Sequence, residues 1–105
     1  MAEWNVDRNW ALHQSNGAVV SLSLVQAGTN ISSGTASHSN VSSQSVTGSV
    51  NGDFLFLSID WNNSTFGEYH GRFSPDGRLS GITFDVQNPG SQATWAADKR
   101  FTKNA

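Results

Sequence analysis

The side chains that could do chemistry in this 105-residue chain fall into three groups. The first is ionisable. Glu68 and His70 lie two residues apart, which in a strand puts both on one face and makes an acid–base pair conceivable. Asp60 and Asp85 fall on segments that could reach the same cavity. Arg72 follows at the same two-residue step, where it would pair with Glu68 or Asp60 across strands. Catalysis needs an activated nucleophile or paired carboxylates, and the chain has no nucleophile elbow, metal motif or phosphate loop. These groups are read as solvated or ion-paired, and no catalytic residue is expected. The second group is His13, His38 and His70. They lack the short paired spacing of a metal site, so they are read as structural or solvated, and no metal or cofactor is expected. The third group is aromatic. Trp61, Tyr69, Phe84 and Trp95 either wall a binding cup or fill a small core, which aromatics dominate.

Strands must position these groups. No segment has the 3.6-residue apolar spacing of an amphipathic helix, and turn signals recur at roughly eight-to-twelve-residue intervals. The pattern predicts strands over 8–14, 18–26, 31–38, 45–50, 53–61, 65–73, 78–86 and 93–102, with 39–44 a mobile Ser/Asn-rich loop. Asn51-Gly52 is the strongest hairpin signal, and Pro75-Asp76-Gly77 and Asn88-Pro89-Gly90 mark further turns. Eight strands on short connections predict an all-β, antiparallel up-and-down barrel, of the kind that can hold one small ligand. An open sandwich is the alternative. The chain reads as one domain over 1–105, with 1–7, including Trp4, a flexible N-terminal segment; Trp10 is read as structural. Segment 53–61 is apolar on both faces, with Leu55, Leu57, Ile59 and Trp61 in one row and Phe54 and Phe56 in the other. A strand covered on both sides predicts a partner subunit outside the barrel, hence a homo-oligomer.

Composition narrows the partners. The net charge is −2, with 36% hydrophobic and 13% charged residues. Ser, Thr, Asn and Gly replace the missing apolar mass, which suits strands with one face toward water. The absence of cysteine excludes disulfides and thiolate metal sites. Six Lys and Arg against eight Asp and Glu give no basic surplus, so no nucleic-acid partner is expected. No apolar run reaches the roughly 18 residues of a membrane helix, and no membrane partner is expected. The start MAEWNVDRNW lacks the basic and apolar stretches of a signal peptide. The compartment stays open between cytoplasmic and exported with the signal removed. The sequons at Asn30, Asn40, Asn62 and Asn63 are read as turn chemistry.

The stretch VTGSVNGDFLFLSIDWNNST, Val46 to Thr65, resembles the central hairpin of the avidin and streptavidin family of biotin-binding barrels. Asn9-Trp10 resembles the family's first-strand tryptophan that closes the barrel floor, Ser33-Gly34-Thr35 its second hairpin, Tyr69-His70-Gly71 its tryptophan-serine-glycine, and Ala93-Thr94-Trp95 with Phe101-Thr102-Lys103 its closing strand. The resemblance implies that Trp61 lines a pocket, that Tyr69 and Phe84 are further wall residues, and that a neighbouring subunit contributes Trp95. The polar end departs from the family. Ala11, Leu12 and His13 follow Trp10, Ala36 stands where a tyrosine would, and Asp98 is the only nearby candidate for the family's aspartate. An unpaired buried polar group costs about 1–3 kcal/mol, so losing several partners implies weak or absent biotin affinity.

The leading expectation is thus a non-catalytic, avidin-like barrel that encloses a small molecule between aromatic walls. Ser21, Ser23, Thr47, Ser58 and Thr83 are candidate polar groups at the closed end of the cup. The main alternative is a lectin, with Trp61, Tyr69 or Trp95 at shallow surface sites and a glycan as ligand. A small barrel enzyme using Glu68, His70 and Asp60 is a third reading, and an interaction module with a filled lumen a fourth.

Overall fold

Strict alternation of buried and exposed residues decides which side of each strand faces inward. In β3 (Val19–Ala27) Val20, Leu22 and Leu24 are buried while Ser21 and Ser23 are exposed. A computed structural model of the protein describes residues 4–38, 41–62 and 65–103. In it β2 (Arg8–Gln14), β3, β4 (Asn30–His38), β5 (Val41–Asn51), β6 (Phe54–Trp61), β7 (Phe66–Phe73), β8 (Leu79–Asp85) and β9 (Asn88–Ala97) form a closed antiparallel barrel in sequence order. Two short strands, β1 (Trp4–Asn5) and β10 (Thr102–Lys103), pair with each other outside it. The expected all-β barrel is present, and the open sandwich is not.

Three boundaries differ from the sequence reading, one of them the end of the last strand, expected at 102: β9 stops at Ala97 and Thr102 opens β10. Residues Val41 to Gln44, placed in a mobile loop, extend β5; Ser39 and Asn40 lie outside the described residues. The last loop, placed at Asn88-Pro89-Gly90, lies inside β9, because Val86 and Gln87 alone turn the chain between the paired residues Asp85 and Asn88. The central hairpin turns through Gly52-Asp53 rather than Asn51-Gly52. Asn51 still pairs with Phe54, and Gly52 (φ 61°) takes the first central position, the arrangement of a type II′ turn.

The seam between β2 and β9 is short, with register pairs only at Leu12, His13 and Gln14. Hydrogen bonds from flanking residues lengthen it. The Ala11 amide donates to Asp98 Oδ1 (3.0 Å), the Asp98 amide returns a bond to Ala11 O (2.9 Å), and the Ser15 amide donates to Thr94 O (2.8 Å).

The lumen is filled. Leu12, Val20, Leu24, Val46, Val50, Leu55, Leu57, Ile59 and Leu79 are no more than 2% exposed. Eight strands enclose a space that side chains can just fill. Trp95 lies along the inner wall over β8 and reaches Gly71 in the same row two strands away, where a Cβ would stand 2.7 Å from Trp95 Cη2. The glycine on β7 makes room for this indole.

One end of the barrel is a floor. Trp4, expected in a flexible segment, is 6% exposed and stacks on Phe73 at 4.8 Å, with its indole N–H on Asp53 Oδ1 (3.0 Å). Trp10 meets Phe101 edge-on at 5.0 Å and donates to Val6 O (3.1 Å). Lys103 sits 5.1 Å over the Trp4 ring. The chain ends thus converge to close this end. The opposite end, reached by the β2–β3, β4–β5, β6–β7 and β8–β9 connections, is the mouth.

Candidate ligand site

The mouth is shaped by inward residues near the ends of β2, β6 and β8 and at the start of β7. Alternation brings Gln14, Trp61, Gly67, Tyr69 and Thr83 to a shallow cavity of about 130 Å³, with Phe66, Phe84 and Asp85 at its rim. Gly67 is its key vacancy. A Cβ there would stand 3.1 Å from Tyr69 Cε1, 3.3 Å from Trp61 Nε1 and 3.7 Å from Tyr69 Oη. Without one, the indole N–H and the phenol oxygen face a common space. Among the described residues no acceptor meets the Trp61 N–H, whereas the other three indoles each donate, Trp95 to Ile82 O at 2.9 Å. His38 packs edge-on against Trp61 at 4.8 Å.

Tyr69 donates a long bond to Gln14 Oε1 (3.4 Å), and Thr83 donates to Glu68 O (2.9 Å). Burial pushes the Tyr69 phenol above its ordinary value, with a smaller opposing effect from the Thr83 hydroxyl. The site therefore offers one indole donor, a protonated phenol whose oxygen can accept, and a side-chain amide. Its surroundings lean acidic. Asp60 and Asp85 end β6 and β8 at this end, while Arg8, Arg72, Arg78, Lys99, Arg100 and Lys103, all the Lys and Arg of the chain, lie toward the floor.

Of the residues singled out in the sequence, Trp61, Tyr69 and Thr83 meet at the mouth. Phe84 lies there too, but on the outer wall: it points away from the lumen and stacks on His70 at 5.7 Å. Trp95 belongs to this barrel's own core, 3% exposed with its N–H satisfied, so it cannot be a residue lent to a neighbour's pocket. Ser21, Ser23 and Thr47 are exposed on the outer wall and Ser58 is half-buried there; none stands at a closed end of a cup. The alternation that puts leucine and valine inside forces these hydroxyls out. Asp98 is taken up by the β2–β9 seam.

The catalytic candidates also lie outside. His70 Nε2 and Glu68 Oε1 are 3.0 Å apart on the outer wall, with side chains 46% and 31% exposed. Asp60 is two strand positions away from Ser58, which pairs with Glu68. His13, His38 and His70 sit on β2, β4 and β7, and among the described residues no three His, Cys, Asp or Glu converge.

Gln14, Gly67 and His38 were not picked out as site residues. Only Gly67 left a signal: an isolated glycine in a strand beside aromatics marks a close approach or a space. Gln14 and His38 end strands far apart in sequence, and only closure of the barrel brings them to one mouth. Compared with family models, curated proteins and solved structures, the chain matches none.

Proposed function

We propose that this is a non-catalytic binding protein that holds the compact end of a small, uncharged polar molecule at the mouth of the barrel. The observation that carries the reading is the space left by Gly67 between the unsatisfied Trp61 N–H and the Tyr69 hydroxyl. A group with an acceptor beside a donor, as in an amide or a urea, suits that pair. The cavity volume of about 130 Å³ is well below the roughly 300 Å³ at which pockets for drug-sized ligands begin. Only a head group is enclosed, so the affinity is modest. A lectin is less well supported, because Trp61 and Tyr69 are each 4% exposed and present edges rather than open ring faces.

The avidin-like reading of the sequence makes biotin the first probe. Its ureido head matches the donor–acceptor pair, while its carboxylate tail would meet the acidic rim. A titration of the 15N-labelled protein would follow the Trp61 indole resonance with biotin, biotin carboxamide and simple monosaccharides. The expected result is a saturable shift with a Kd on the order of 0.1–1 mM, tighter for the carboxamide and lost in Gly67→Ala. No shift of the Trp61 resonance with any probe up to several millimolar, or an undiminished shift in Gly67→Ala, would sink the proposal.

A further inference from the structure

The outer wall of β6, β7 and β8 differs from the rest of the barrel surface. Register places its outward residues in a grid of three rows. Phe56, His70 and Ile82 form the middle row; Phe54, Arg72 and Ser80 lie on the floor side; Ser58, Glu68 and Phe84 lie on the mouth side. The side chains already lie flat against one another. His70 stacks on Phe84 and tilts against Phe56 at 5.2 Å, and the Arg72 guanidinium sits 5.7 Å over Phe54. Phe54 and Ile82 remain 59% and 51% exposed. Arg72 has no carboxylate within 4.0 Å among the described residues.

We infer that this wall docks onto the same wall of a second copy of the chain. The apolar ends of the middle row and the two charges of the grid are self-complementary. A two-fold axis lying in the interface along the middle row sets the two sheets face to face with their strands antiparallel, and an isologous contact repeats each pair twice. Phe56 then meets Phe56 of the partner subunit, and Ile82 meets Ile82 of the partner subunit. Arg72 and Glu68 are each two residues from His70 on the same strand, on opposite sides of the axis. Arg72 therefore lands on Glu68 of the partner subunit, and Glu68 on Arg72 of the partner subunit. Apolar meets apolar at both ends of the middle row, His70 lies on the axis against His70 of the partner subunit, Phe54 faces Ser58 of the partner subunit, Phe84 faces Ser80 of the partner subunit, and each charge meets its opposite. A two-fold axis along β7 instead would stack Arg72 on itself, so the charges also choose the orientation.

The inference is independent of the ligand proposal, since Arg72 lies away from the mouth. The test is sedimentation velocity on wild type, Arg72→Glu and Glu68→Arg from about 1 to 500 µM, a range that brackets weak homodimers. Wild type is expected to pass from its 11.3 kDa monomer to twice that mass with rising concentration. Each single variant places like charges opposite each other at both contacts and is expected to stay monomeric. An equimolar mixture of the two variants is expected to dimerise again, because every cross-contact then pairs Glu with Arg. Both substituted residues lie on the outer wall, and unchanged thermal midpoints would verify folding. A wild type that is monomeric throughout, single variants that dimerise like wild type, or a mixture that stays monomeric would each overturn the inference.

Discussion

The two ends of this barrel are built from the same residue type and behave oppositely. At the floor, Trp4 and Trp10 have their indole N–H groups satisfied, by Asp53 and by Val6 O, and their rings packed against Phe73 and Phe101. At the mouth, Trp61 is as deeply buried by area, yet its N–H faces a space that Gly67 leaves open. Burial fraction alone does not separate a structural tryptophan from a binding one. The fate of the single indole donor does, because a satisfied donor has nothing left for a ligand, and an unsatisfied one at a wet cavity exchanges water for a ligand acceptor at little cost.

Substitutions at the two ends should therefore have opposite signatures. The largest effect is expected at the floor. Trp10→Ala removes a ring 5% exposed and leaves the Val6 carbonyl without its donor. A loss of about 3–5 kcal/mol is expected, which lowers the thermal midpoint by more than roughly 12 °C in a domain of this size. Calorimetry measures it, and a shift of only a few degrees would mean that the floor is not a plug. Gly67→Ala at the mouth is the counterpart. The added methyl meets only side-chain atoms, at 3.1 and 3.3 Å, and these can give by a few tenths of an ångström. Stability is expected to change by less than about 1 kcal/mol, helped by the lower unfolded-state entropy of alanine, while ligand response is lost. A large destabilisation here would make the mouth a second floor.

The smallest expected effect is spectroscopic. Tyr69 is the only tyrosine, so its ionisation can be followed by absorbance without interference. Burial raises its folded-state pKa, so the unfolded chain gives up this proton first. The phenol is expected to ionise above the ordinary value of about 10, and its contribution to stability to fade as pH rises past that value. Ionisation at or below 10 in the folded protein would mean that the mouth is wetter than its packing indicates.

Local pattern carried a great deal of this. Alternation in VVSLSLVQ and FLFLSIDW separates each strand into the two rows that the structure places inside and outside, since a period of two needs no knowledge of the partner strand. Turn chemistry at Gly52 and Gly77 separates strands, and eight strands on short connections favour a barrel over the open sandwich, with closure shown by the structure. The same alternation already placed Ser21, Ser23 and Thr47 opposite the leucine and valine rows. Treating them as lumen groups conflicted with it, and the buried rows decide the matter.

What sequence could not supply was the contact between distant segments. Trp4 is buried because Asp53 and Phe73 receive it, and the terminal strands β1 and β10 are too short to be recognised without each other. Trp61 and Trp95 are indistinguishable as aromatic residues at inward strand positions. Trp95 meets Gly71 and the Ile82 carbonyl, and so becomes core; Trp61 meets the space at Gly67, and so stays available. The chain's spacing thus determines a barrel, its inner and outer rows and its aromatic stock. Which tryptophan is plugged and which is open is decided by the closed tertiary structure, because a lumen eight strands wide is filled by whichever side chains meet across it.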